Sequence, residues 1–346
     1  MSRLLLLAAF LVAATGHAPA GAADPVPLIY DTDMGNDVDD VLALGVIHAL
    51  QSRGECQLLA VTVSKDHPLA ARFCDLVNTF YGRGEVPVGR VRLGKTPRAG
   101  KFLRPVVEAR DEDKPRYAHD LKGEYDTPRA TVLLRQALAQ AADQSVVLVV
   151  VGFSTNMARL LASPADEHSE LDGQQLVKQK VKLLSMMGGC FAATRPEGFG
   201  EYNVRHDIEA ARRVFADWPT PIVISGFEIG KSILYPAVSI QNDFNYLPHH
   251  PVKQAYEAFL KMPYDRPTWD LTAVLQAIRP GRHYFGLSET GALHVGEDNY
   301  AAFTPGGHNR HRYLTANAAQ IERVREALVM LASQPPALSI SAAVIP

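Results

Sequence analysis

The chain has 346 residues, 47% hydrophobic and 21% charged, with 35 basic against 37 acidic residues and a formal net charge of -2 at pH 7. Such a composition belongs to a globular chain long enough for one large α/β domain or two small ones, and it excludes a disordered polymer. It also lacks the basic excess by which proteins hold nucleic acid or an anionic membrane, so a small neutral or weakly charged ligand is the expected partner.

Residues 1–23 read as an export signal: Arg3, an apolar run from Leu4 to Ala14, then Ala20, Gly21, Ala22 and Ala23. The run is shorter than the roughly 20 residues that a spanning helix needs, so a secreted or periplasmic protein without a membrane anchor is expected. The mature chain, 24–346, reads as a single domain. Val26 to Tyr30 is a short apolar run ending in an acidic loop, and Val41 to Leu50 has helical spacing. The alternation repeats with Gln57 to Val63 and Leu69 to Tyr81. β-Branched runs follow at Val146 to Val151, Val181 to Met187 and Pro221 to Ser225, and a helical pattern at Ala318 to Ala332 closes the series. Strand-then-helix order predicts an α/β fold: an open, mostly parallel Rossmann-like sheet with helices on both faces and ligands at the carboxyl ends of its strands. Two stretches break the rhythm, Lys95 to Pro128 and Asn242 to Pro267. They read either as flaps over a site or as solvated insertions. Cys56, Cys74 and Cys190 are too few for a disulfide framework, and Cys190 reads as a packed thiol.

The densest chemistry is Asp31-Thr-Asp-Met-Gly-Asn-Asp-Val-Asp-Asp40, five carboxylates in ten residues between a strand and a helix. Crowded anions in a partly dry site repel and raise one another's pKa, and a hard divalent cation removes that cost. Calcium takes six to eight oxygen ligands of the kind present here, whereas zinc would call for histidine or cysteine. The bland alternative is a solvated turn in which Asp37 or Asp39 caps the helix. An EF-hand is excluded, since the Gly and the late Glu are not at its offsets and a strand precedes the loop.

Asp31-Thr-Asp-Met-Gly with Asp39-Asp40-Val-Leu-Ala-Leu resembles the signature of the inosine-uridine preferring nucleoside hydrolase family, in which the motif is usually two residues shorter. Gly152-Phe-Ser-Thr-Asn156, Glu201-Tyr-Asn203 and Trp269-Asp270 are similar to three further family landmarks, so the resemblance runs from Leu28 to about Pro280. It implies the nucleoside hydrolase fold, calcium, and hydrolysis of an N-glycosidic bond in a ribonucleoside or related ribosyl conjugate. Carried over residue by residue, it makes Asp33 metal ligand and general base, Asp40 and Asp270 metal ligands, and Thr155 the donor of a backbone carbonyl to the metal. Asp39 would contact a sugar hydroxyl, with Asp37 sharing that role, and Glu201 and Asn203 would hold further hydroxyls. Asp207 reads as a helix cap. Homo-oligomers are common in the resembling family.

Two departures matter. Well-known members have His-Asp where this chain has Trp269-Asp270. The indole nitrogen is not an acid, so Trp269 would stack on a planar leaving group or simply pack in the core. The family's Gly-Asn, whose amide touches the sugar, is replaced by Ser64-Lys65-Asp66, leaving Lys65 or Asp66 to stand in. A leaving-group proton donor would come from His249, His250, Tyr246 or Tyr264, or none would be needed. The same departures motivate a second reading, a non-catalytic calcium-dependent binder of sugar or nucleoside.

Overall fold

The computed structural model describes residues 24–123, 126–192, 199–307 and 310–337. The expected export signal at residues 1–23 lies outside the described residues. Eight strands form the main sheet: β1 (Val26–Thr32), β2 (Cys56–Lys65), β3 (Val88–Lys95), β4 (Val146–Val150), β5 (Val181–Met187), β6 (Ile222–Ser225), β7 (Gly286–Leu287) and β8 (Arg312–Thr315). Their spatial order is β7-β8-β6-β5-β4-β1-β2-β3, every pair parallel except β7 with β8. The expected mostly parallel, mixed sheet is therefore the one found.

The helices that matter for the site are α1 (Asp39–Ser52), α2 (Pro68–Phe80), α3 (Ala130–Gln140), α4 (Thr155–Leu161), α5 (Tyr202–His206), α6 (Ile208–Asp217), α7 (Trp269–Ile278) and α8 (Ala318–Ala332). Side chains alternate across a strand, so β1 sends Leu28 and Tyr30 into one core with α1, α2, α7 and α8. Ile29 goes into a second core with α3, α4 and α6. β4 divides likewise, Val147 and Val149 to the first and Val146, Leu148 and Val150 to the second. Both faces of the central strands are covered, which is why these runs are apolar throughout rather than alternating. Helix α1 is buried from Asp39 to Leu50 because it lies between the sheet, α7 and α8. No described helix is long and apolar enough to cross a membrane.

Order in the sheet reverses at β1: the chain first moves outward through β2 and β3, then returns to the other side of β1 with β4. The loops leaving β1 and β4 must part there, which opens a crevice at their carboxyl ends. The acidic segment is the β1 loop, and two very close backbone approaches brace it. Gly100 has φ +77°, and a Cβ there would overlap the Gly35 carbonyl oxygen. A Cβ on Gly152 would stand 2.5 Å from the Asp33 nitrogen and collide with Ser64 Oγ.

The segment Lys95 to Pro128 is solvated over Arg110–Asp111 and Lys114–Pro115, as a surface excursion is, but the Gly100 contact also ties it to the acidic loop. Phe102 and Leu103 are fully buried, and the segment braces the acidic loop from its outer side. Asn242 to Pro267 likewise sends Phe244, Val252 and Tyr256 into the first core. All three cysteines are buried.

Gly100→Ala and Gly152→Ala should each lower unfolding free energy by about 2–3 kcal/mol through overpacking, with backbone strain added at Gly100, whose φ is +77°. Gly54 is also at positive φ (+72°), but a methyl group there would meet no atom within 4 Å, so its alanine variant should lose only about 1 kcal/mol. Urea denaturation checks this; equal losses at all three sites would show that contact with the acidic loop is not the cause.

Candidate active site

A cavity of about 420 Å³ opens at the carboxyl ends of β1, β4 and β5, a volume suited to a small organic ligand. Its floor is acidic: Asp33, Asp37, Asp39, Asp40, Glu201 and Asp270 all line it. Asp31 does not; its buried carboxylate accepts from Thr62 Oγ1 at 2.6 Å and Asn156 Nδ2 at 2.7 Å, which ties β1 to β2 and α4.

Asp39, Asp40 and Asp270 bring one carboxylate oxygen each within 4.8 Å of one another, all three residues buried. Asp40 sits in the first turn of α1, its Oδ1 accepting from Thr32 Oγ1, while Tyr30 Oη donates to the Asp40 carbonyl at 3.1 Å. The other Asp40 oxygen, Oδ2, is buried without a hydrogen-bond partner. Asp270 enters from α7, its backbone N–H donating to Asp39 Oδ2 at 3.1 Å. Asp33 stands beside them, its Oδ2 accepting from Asn36 Nδ2 at 2.6 Å. Neither Asp37 nor Asp39 caps α1 with its side chain, so the bland capping role does not account for them.

Burial raises the pKa of all four carboxyls, Asp33, Asp39, Asp40 and Asp270, and for Asp39, Asp40 and Asp270 the repulsion of neighbouring carboxylates adds to it. A buried carboxylate oxygen with no donor, in a cluster of like charges, is the environment that a hard cation relieves. The residues fit such an ion.

The walls are built by other elements. Glu201 is the N-cap of α5; its carboxylate accepts from the N–H groups of Asn203 (2.8 Å), Val204 (3.0 Å) and Gly189 (3.1 Å). Burial nevertheless pushes its pKa up to about 7, against those three hydrogen bonds. Asn203 Nδ2 donates to the Val151 carbonyl at 2.8 Å. Trp269 lines the cavity half-buried. It stacks on Phe227 with ring centroids 5.3 Å apart, and Phe199 packs on Phe227 in turn at 4.7 Å. Trp269 Nε1 donates to the Phe227 carbonyl at 2.9 Å, so the indole donor is committed to the backbone. Asp37 is paired with Arg266, whose guanidinium lies 5.1 Å from the Trp269 ring centre.

Several expected residues stand elsewhere. Thr155 does not line the cavity: it opens α4, lines a separate groove with Lys95 and Asp207, and gives its hydroxyl to Asp207. The residue that β4 leaves at the rim is Val151; by Thr155 the chain has already turned away. Asp207 occupies the N-cap position of α6 without capping it, engaged instead by Thr155 and by Lys95 at 3.5 Å. Asp66 is drawn off by Arg90 at 3.2 Å and the Gly94 N–H at 3.0 Å. Lys65 is buried beneath the loop and absent from the lining.

None of the four expected proton donors reaches the cavity. His250 is buried against Phe80 and Tyr81, hydrogen-bonded to Tyr246 Oη at 2.7 Å, with its pKa lowered to about 3 by burial. Tyr264 Oη donates to the Tyr256 carbonyl, and His249 lies at the surface near Asp111. The lining residues that sequence reasoning missed include Asn36, Val151, Tyr202, Arg205 and Phe227. Asn36 falls within the longer stretch of the acidic loop; the others carry no signal of their own.

Asp31 and Glu201 give the metal-free protein a pH signature. Burial raises Asp31 from 3.8 and Glu201 from 4.5 to about 7. The native state then holds more protons than the unfolded chain between about pH 4 and 7, so the stability these groups contribute is full below about pH 4 and is lost progressively as pH rises to 7. Thermal melts in chelator should show that fall, on the order of a few kcal/mol; a midpoint that climbs over this range would contradict the burial of these carboxyls.

A family profile described as inosine-uridine preferring nucleoside hydrolase matches residues 28–329. A pyrimidine-specific ribonucleoside hydrolase RihA from Shewanella sp. (strain ANA-3) is 27% identical over 215 residues, covering 59% of this chain and 59% of that protein. The chain thus spans about three fifths of the curated relative it matches. Among solved structures, the plant nucleoside hydrolase PpNRh1 superposes with a TM-score of 0.66 at 19% identity, covering 90% of this chain and 100% of the other. An inosine-uridine preferring nucleoside hydrolase from Bacillus anthracis superposes with a TM-score of 0.67 at 17% identity, covering 89% and 99%.

Proposed function

Because the chain belongs to the inosine-uridine preferring nucleoside hydrolase family, we propose that it hydrolyses the N-glycosidic bond of a ribonucleoside or a related ribosyl conjugate, using calcium held by the acidic loop. The observation that carries this reading is the convergence of Asp39, Asp40 and Asp270 around the unpartnered Asp40 Oδ2, at the floor of a cavity of nucleoside size. Export from the cytoplasm, from the signal at residues 1–23, belongs to the same proposal.

Asp40, Asp270 and Asp33 would hold the cation, and Asp39 is near enough to share it. When bound, the ion supplies charge neutralisation and Lewis acidity. The protein's own residues do the rest. Asp33, fixed by Asn36, accepts the proton of the water that attacks the anomeric carbon. The transition state is a sugar cation, and the surrounding carboxylates favour it electrostatically. Glu201 and Asn203 are held rigidly by backbone partners, so sugar hydroxyls bound there would be oriented without reorganisation. Trp269, Phe227 and Phe199 offer a planar leaving group an apolar face, and no described lining residue is a histidine. Stacking replaces protonation at that end.

That missing histidine also favours the second reading, a binding protein without turnover. Incubation with calcium and a panel of ribonucleosides separates the two: free ribose supports hydrolysis, and binding without ribose supports the binder. Asp33→Ala should lower kcat/KM by about 10³-fold and weaken calcium binding in the same protein; retention of both would sink the assignment of Asp33. Trp269→Ala should lower kcat/KM roughly tenfold while Trp269→Phe keeps most of it, as expected for stacking. Steady-state kinetics on the best substrate of the panel would show this, and equal losses in the two variants would argue against a stacking role.

A further inference from the structure

Lys65 ends β2 directly beneath the acidic loop and is 1% exposed. Its Nζ donates to Asn36 Oδ1 at 2.5 Å and to the Thr96 carbonyl at 2.9 Å, both neutral acceptors. A buried ammonium with only neutral partners is strongly disfavoured unless negative charge lies close by. That charge is one amide away. Asn36, gripped by Lys65 at its oxygen, donates its nitrogen to Asp33 Oδ2 at 2.6 Å and to Thr96 Oγ1 at 3.1 Å. Burial lowers the pKa of Lys65, and the nearby charges of Asp33 and Asp40 oppose that effect. Asn36 lies between Gly35 and Asp39, where this loop is longer than the family pattern, and Lys65 stands where that pattern has a neutral residue.

We propose that Lys65 is the acidic loop's own counter-cation: held through Asn36 against Asp33, it lets the carboxylates fold together without an ion and sets by repulsion how tightly a divalent cation is held. This rests on the cation-binding reading above. Lys65 is thereby a positioning residue, acting on the site through Asn36 rather than touching substrate. Removing its charge has two opposite effects. The metal-free cluster loses the positive charge on the Asp33 side, keeping only Arg266 beside Asp37 and Asp270, while a calcium ion entering the same cluster meets one positive charge fewer.

Calorimetric calcium titration and thermal melting in chelator, on the full chain, test both effects. Lys65→Met should melt lower without metal yet bind calcium about tenfold tighter than the wild type. Lys65→Arg, which keeps the charge, should bind calcium as the wild type does. Asp33→Asn should raise the metal-free melting point more in the Lys65→Met background than in the wild type, because it cancels the uncompensated charge. A lysine that merely fills space would lower the melting point without tightening calcium. The proposal is overturned if Lys65→Met binds calcium no more tightly than the wild type, or if Asp33→Asn gives equal gains in the two backgrounds. Should Lys65→Met alone fail to fold, folding of the Asp33→Asn/Lys65→Met protein upholds the proposal, and its failure overturns it. A wild-type protein that takes up no calcium overturns the cation reading instead, and the metal-free melts still decide the counter-charge.

Discussion

The arrangement of this protein turns on an electrostatic conflict: the carboxylates of Asp39, Asp40 and Asp270 are buried within reach of one another at the carboxyl ends of a parallel sheet, and the buried Asp33 adds its charge to theirs. Left to themselves they would repel, take up protons or push the chain apart. The fold instead fixes them. Asp40 is locked by Thr32 and Tyr30 from the preceding strand, and Asp39 receives the backbone N–H of a residue 231 positions away. Backbone hydrogen bonds and helix starts hold the groups where side-chain attraction alone would not. A site maintained against its own repulsion is one whose stability is exchanged for a function.

The exchange is possible because of where the acidic loop sits. β1 lies at the point where strand order reverses, so its loop and that of β4 diverge and leave a crevice rather than a packed seam. The loop is then supported from outside by backbone contacts too close for any side chain, at Gly100 and Gly152. Such contacts convert the rigidity of the sheet into positional precision for Asp33, which a flexible acidic turn would lack. Glu201 shows the same logic on the opposite wall, with three backbone donors holding one carboxylate.

The chemistry legible in the sequence is that carried by unusual residue types in unusual density. Four of the five aspartates of one loop, Glu201-Tyr-Asn203 and Trp269-Asp270 all come together around one cavity, positioned by the strand and helix runs that the apolar pattern marks out. Contributions made by backbone or by burial are not legible. A carbonyl has no residue signature: the motif points to Thr155, which lines a separate groove, while the lining residue just after β4 is Val151. His250 reads as a candidate acid from its type alone, but burial against Phe80 and Tyr81 keeps it neutral and out of reach. The charged segment after Lys95 reads as a solvent-facing excursion because its few apolar residues, Phe102 and Leu103 among them, are the ones that anchor it.

The two ends of the cavity follow opposite strategies. At the end lined by Asp33, Asp39, Asp40 and Asp270, negative charge is concentrated and held rigid, which suits the proposed reaction, in which positive charge develops on a ring. At the other end the surface is aromatic, and the one indole donor is committed to a backbone carbonyl. In the proposed hydrolysis, a leaving group that meets that surface would be steadied by stacking, not by an acid. The burden of bond cleavage would then fall on the acidic end, through stabilisation of the developing cation. Arg266 links the two ends, since it pairs with Asp37 of the acidic loop while lying over the Trp269 ring. The position of the aromatic wall is thereby tied to the loop that carries the carboxylates.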